Sequence, residues 1–124
     1  MTHSMEKNVR QTRFAIADLQ KRIEVLVATR DDLERQIRKL NDSVPEDAVE
    51  AGATKEGYVA YGSYAQSVIA RKDNLRESLS AITDQTSDLS ADLRAAMDAL
   101  DSFERVRARQ MAAKAEKAMA RRAG

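Results

Sequence analysis

The stretch that decides the fold runs from Tyr61 to Phe103 and reads YGSYAQSVIARKDNLRESLSAITDQTSDLSADLRAAMDALDSF. Every seventh residue from its start is apolar: Tyr61, Val68, Leu75, Ile82, Leu89, Ala96 and Phe103. A companion series four residues along holds Ala65, Lys72, Leu79, Thr86, Leu93 and Leu100, polar only at Lys72 and Thr86. Alternating steps of three and four mark the seam of a coiled-coil helix, which keeps facing one partner only by supercoiling around it. At ~1.5 Å per residue the stretch spans roughly 65 Å. That is too long for a compact domain of 124 residues. Its stripe needs a second stripe to cover it.

The chain supplies one. From Met5 a first seam interleaves Val9, Ile16, Ile23, Arg30, Ile37 and Val44 with Met5, Thr12, Leu19, Leu26, Leu33 and Leu40. β-Branched residues at one core position and Leu at the other also suit a parallel two-stranded coil, so a homodimer stays open. Asn41 and Asp42 offer a C-cap, and Ser43-Val44-Pro45-Glu46 is a capping box with Pro in the first turn. It starts a short helical turn that Gly52 stops, with loop from Ala53 to Gly57. A second capping box, Ser63-Tyr64-Ala65-Gln66, opens the long helix. These signals predict an all-α chain, helix over about 5–41, a structured turn over 42–62 and helix over about 63–119. The two helices form an antiparallel coiled-coil hairpin.

Antiparallel coils set one core position against the other. Pairing residues whose numbers sum to 105 matches Ile37 with Val68, Leu40 with Ala65, Leu26 with Leu79, Ile23 with Ile82, Ile16 with Leu89 and Val9 with Ala96. It sets the two basic intruders, Arg30 and Lys72, against Leu75 and Leu33, where their stems lie on the seam and their charges reach water. Past Phe103 the seam turns polar at Arg107 and Gln110, and an Ala/Met-rich helix follows, without a partner in this register.

One residue in three is charged, and Cys and Trp are absent. Without Cys there is no disulfide or thiolate chemistry, as expected of a reducing compartment. No apolar run approaches the ~20 residues of a membrane span, and no signal-peptide pattern opens the chain. The expectation is a soluble, cytoplasmic protein. The net charge of +1 conceals a polarised distribution: +3 over residues 1–40, −8 over 41–104 and +6 over 105–124. A basic tail beside an acidic body points to an anionic partner.

Chemistry is hard to find. There is no Gly-rich phosphate loop, no His and carboxylate spacing for a metal, and no nucleophile with a base. His3, the only histidine, has no partners. Carboxylates such as Asp31, Asp32 and Glu34 read as solvated faces, because acid/base chemistry needs a concave, partly desolvated site. No catalytic, cofactor or metal residue is assigned, and the expectation is a protein that is not an enzyme. Tyr58, Tyr61 and Tyr64 are all the tyrosines and gather where the turn becomes the long helix. Tyr61 is in register with the seam and reads as a core plug. Tyr64 stands beside the seam, where an amphipathic ring serves as a protein-binding anchor.

The run Ala60-Tyr61-Gly62-Ser63-Tyr64-Ala65, followed by Arg71, Asn74-Leu75 and Ser78, resembles the start of the second helix in FliJ-type flagellar export proteins, above all the alphaproteobacterial ones. Ala99, Phe103-Glu104-Arg105 and Arg107 also resemble that family, and the likeness covers roughly residues 5–118. The resemblance implies a coiled-coil hairpin similar to the central stalk of rotary ATPases. It also implies a role in the cytoplasmic type III export apparatus, at the cytoplasmic face of the membrane. Members insert into the export ATPase ring, engage the membrane-embedded export gate and are linked to escorting export chaperones. The family's gate contact falls here on Tyr64 and Val68, which stand where other members carry Phe and Leu. With Tyr61 and the tail arginines Arg105, Arg107 and Arg109, these are the candidate partner-binding residues. Two other readings remain: a generic coiled-coil homodimer, and a binder of nucleic acid or anionic membranes through residues 105–122. The −8 stretch beside the tail and the lack of aromatics among its cations weaken the last.

Overall fold

A computed structural model describes the backbone of residues 2–51 and 55–123 and the side chains of residues 4–42 and 62–123. Among the described residues there are two helices and no strand: α1 over Thr2–Ala51 and α2 over Lys55–Ala123. No described residue has positive φ and no described peptide bond is cis.

Both helices outrun their expected bounds. The turn expected over 42–62 is helical over 42–51 and again over 55–62. The signals read there as stops are permissive rather than prohibitive: Asn and Ser tolerate caps but also sit inside helices. Glu46, Asp47, Ala48, Val49, Glu50 and Ala51 contain no residue that forbids helix. Pro45 is the one local obstacle, and α1 continues through it. Gly57 and Gly62 cost α2 about 1 kcal/mol each relative to Ala, too little to end a helix of 69 residues. The stop expected at Gly52, and residues 53 and 54 of the expected loop, lie outside the described residues.

The chain divides into two compact units, each taking a stretch from both helices. Unit 1 joins Met1–Ile23 to Asp88–Gly124. Among its covered positions a three-four series runs through Met5, Val9, Thr12, Ile16, Leu19 and Ile23 in α1, then Leu89, Leu93, Ala96, Leu100, Phe103, Arg107 and Gln110 in α2. Val9 is the most deeply buried of them, at 1% exposure. Thr12 is tolerated at a core position because its hydroxyl donates to the Asn8 carbonyl at 2.7 Å, so no donor is buried unmet. Beside these positions Arg13 Nη2 donates to Glu104 Oε1 at 2.7 Å, joining the two helical stretches of the unit.

That ion pair excludes the expected register within unit 1. Numbers summing to 105 set Arg13 opposite Asp92, and Glu104 lies twelve residues further, about 18 Å along the helix. No pair of side chains bridges that offset. The heptad pattern is blind to the error, because a slip of seven residues returns every apolar residue to the seam.

Unit 2 is Glu24–Ser87. The same spacing appears there in Leu26, Arg30, Leu33, Ile37 and Leu40 of α1 and in Ala65, Val68, Lys72, Leu75, Leu79, Ile82 and Thr86 of α2. Val68 is buried at 6% exposure. Thr86 donates to the Ile82 carbonyl at 2.7 Å, the same local satisfaction as at Thr12. Arg30 lies with its stem partly covered and its guanidinium 3.3 Å from the Asp31 carboxylate, a snorkelling arrangement.

Candidate partner-binding surfaces

The tyrosine cluster is placed in part. Tyr64, one turn into the stretch whose side chains are described, is 37% exposed and lies beside Ala65 and Val68 on the covered face. An aromatic half in and half out at a helix flank offers a ring edge and a hydroxyl to a partner while its apolar body is held. Val68 is different. It is buried, so it does not form one exposed patch with Tyr64; it supports the helix from beneath. The exposed aliphatic nearby is Ile69. The side chains of Tyr58 and Tyr61, including the expected core plug, lie outside the described residues.

The three tail arginines separate into three environments. Arg105 forms an ion pair with Asp101, Nη2 to Oδ2 at 2.9 Å, one turn back on the same helix. Arg107 is partly covered at a seam position, and Arg109 is exposed. From Met111 to Ala123 every residue is exposed. Just before that boundary Gln110 carries a buried Oε1 with no hydrogen-bond partner among the described residues. Coverage of α2 thus stops at Gln110, and the exposed cations beyond it are Lys114, Lys117, Arg121 and Arg122. Among the described residues none of these four is in an ion pair.

Sequence reasoning missed Phe14. Its ring is 77% exposed and, with Lys7, Arg10 and Gln11, lines an open depression of about 440 Å³ on α1. The signal was present: Phe14 lies two residues past the Thr12 seam position, and a large aromatic off the covered face of a helix has no core to enter.

Among the described residues no group of three or more His, Cys, Asp or Glu side chains could hold a metal ion, and no helix is long and apolar enough to cross a membrane. No family model matches the chain, and no curated protein or solved structure matches it.

Proposed function

We propose that this chain is a non-enzymatic coiled-coil stalk of the flagellar type III export apparatus. In this reading α1 and α2 pair as an antiparallel hairpin that acts in the cytoplasm and meets the membrane through its partners. The end bearing Tyr64 engages the export gate, the end bearing Arg105, Arg107 and Arg109 engages the export ATPase ring, and export chaperones are escorted along it. The observation that carries the reading is Tyr64, an aromatic held at the flank of the seam with its outer edge exposed.

Two observations support a register whose numbers sum to 112, one heptad from the sequence expectation. The Arg13–Glu104 pair is then offset by five residues, and both side chains lean toward their own helix N-termini and so toward each other. That register sets Val9, the most buried residue, against Phe103. Coverage of α2 ends at Gln110, and a sum of 112 leaves the residues beyond it with no counterpart in α1, which begins at Thr2.

The test is Tyr64→Ala in a pull-down on the soluble domain of an export gate, alongside Arg107→Glu with Arg109→Glu in a pull-down on an export ATPase. The tyrosine variant should weaken gate binding by about 1–3 kcal/mol, as loss of an aromatic anchor does. The arginine variant should weaken ATPase binding and flatten its salt dependence. Full retention of both contacts overturns the reading. A side-by-side homodimer is a second reading, favoured by a core in which Val9 and Val68 are the buried apolar residues and the other described seam positions stay partly open. Sedimentation equilibrium separates it from a monomer.

A further inference from the structure

We infer that the exposed end of α2, residues 111–123, is an amphipathic, cationic helix that lies on anionic lipid surfaces. The seam positions, apolar without a break from Leu89 to Phe103, continue at the same steps as Arg107, Gln110, Lys114, Lys117 and Arg121. One stripe of the helix therefore changes from apolar to cationic where its coverage ends. On another flank, at its own helical spacing, lie Met111, Ala115 and Met119, with both methionines exposed and Arg122 between them around the helix axis.

The alanines and lysines are strong helix formers, and the stretch extends a helix already nucleated and packed. It therefore presents these two stripes as fixed faces.

Charge chooses the class of partner, and folding changes the count. Read along the chain, the tail follows an acidic stretch of −8. In unit 1, however, it is grouped with Met1–Ile23, which carries five basic and two acidic side chains. Asp88–Gly124 carries eight basic and six acidic ones. Unit 1 is net +5, so an anionic surface is attracted by the whole unit.

The apolar flank decides among anions. A nucleic acid would use the cations and leave the methionines idle, and the stretch has no aromatic on which bases could stack. A protein groove draws its affinity from Trp, Tyr and Arg anchors, and of these the stretch has only Arg121 and Arg122, with no aromatic to fill a pocket. A lipid interface uses both stripes at once, cations among anionic headgroups and Met side chains at the acyl boundary. The inference adds a direct lipid contact to the partner-mediated one of the stalk proposal, and it requires neither a gate nor an ATPase.

Flotation of the full chain with vesicles tests it, using phosphatidylglycerol mixed into phosphatidylcholine against phosphatidylcholine alone, at about 0.15 M salt. Binding to the anionic vesicles should exceed binding to neutral ones at least ~10-fold, since each cation near the surface contributes about five-fold. Lys114→Glu with Lys117→Glu and Arg121→Glu should abolish the preference with helicity intact by circular dichroism. Met111→Ser with Met119→Ser should weaken it several-fold. Equal binding to both vesicles, or a charge-reversed variant that still prefers the anionic ones, overturns the inference. So does a methionine variant that binds as the parent does, which would mark the stretch as a general polyanion binder.

Discussion

At the scale of single residues, periodicity sorts side chains into those that hold the fold and those that do not. Val9 and Phe14 lie five residues apart on α1, one at a seam position and one off it, and their exposures are 1% and 77%. Val9→Ala removes two methyl groups from a covered site and leaves a void beside the facing helix, so it should lower stability by about 1–3 kcal/mol. Phe14→Ala removes a much larger group but from water, and should change stability by less than about 0.5 kcal/mol. Urea unfolding of both variants checks the contrast. Comparable losses would mean that Phe14 is covered in solution, by another chain or by another arrangement of this one. The polar seam residues follow the same logic. Thr12 and Thr86 return their hydroxyls to their own helix at 2.7 Å, so each occupies a core position without an unmet donor.

At the scale of the element, the question is which heptad faces which. Hydrophobic pattern restricts the answer to registers seven residues apart and no further. The Arg13–Glu104 pair contributes little energy, since both side chains are partly exposed and such pairs are worth about 0–1 kcal/mol. Its value is as a ruler. With Ile16→Cys and Ala96→Cys in one chain, mild oxidation should close a disulfide within that chain, because their numbers sum to 112 and their Cα atoms then lie within disulfide reach. Ile16→Cys with Leu89→Cys, the pair summing to 105, should stay reduced. The reverse pattern would restore the expected register, and crosslinks only between chains would favour a dimer.

At the scale of the whole molecule, stability and charge are distributed differently. Residues 111–123 add length to α2 but no covered surface. Truncation after Gln110 should therefore leave the melting temperature within about 2 °C while helical ellipticity falls in proportion to the residues removed. A larger drop would show that the end of α2 packs against something. The charge follows the two units, +5 in Met1–Ile23 with Asp88–Gly124 and −4 in Glu24–Ser87.

The sequence by itself determined that the chain is helical, which residues line the covered face, and roughly where the two helices lie. Those are local properties, written in steps of three and four, and every described seam position from Met5 to Gln110 is at least partly covered. It did not determine the ends of the helices at the connection, because caps and glycines permit a stop without compelling one, and α1 runs on to Ala51. It did not determine register, since a seam repeating every seven residues matches itself after each shift of seven. It also did not show that the basic tail belongs to a basic unit. That depends on which distant stretch folds against it. Only the tertiary structure brings residues 1–23 and 88–124 into one unit.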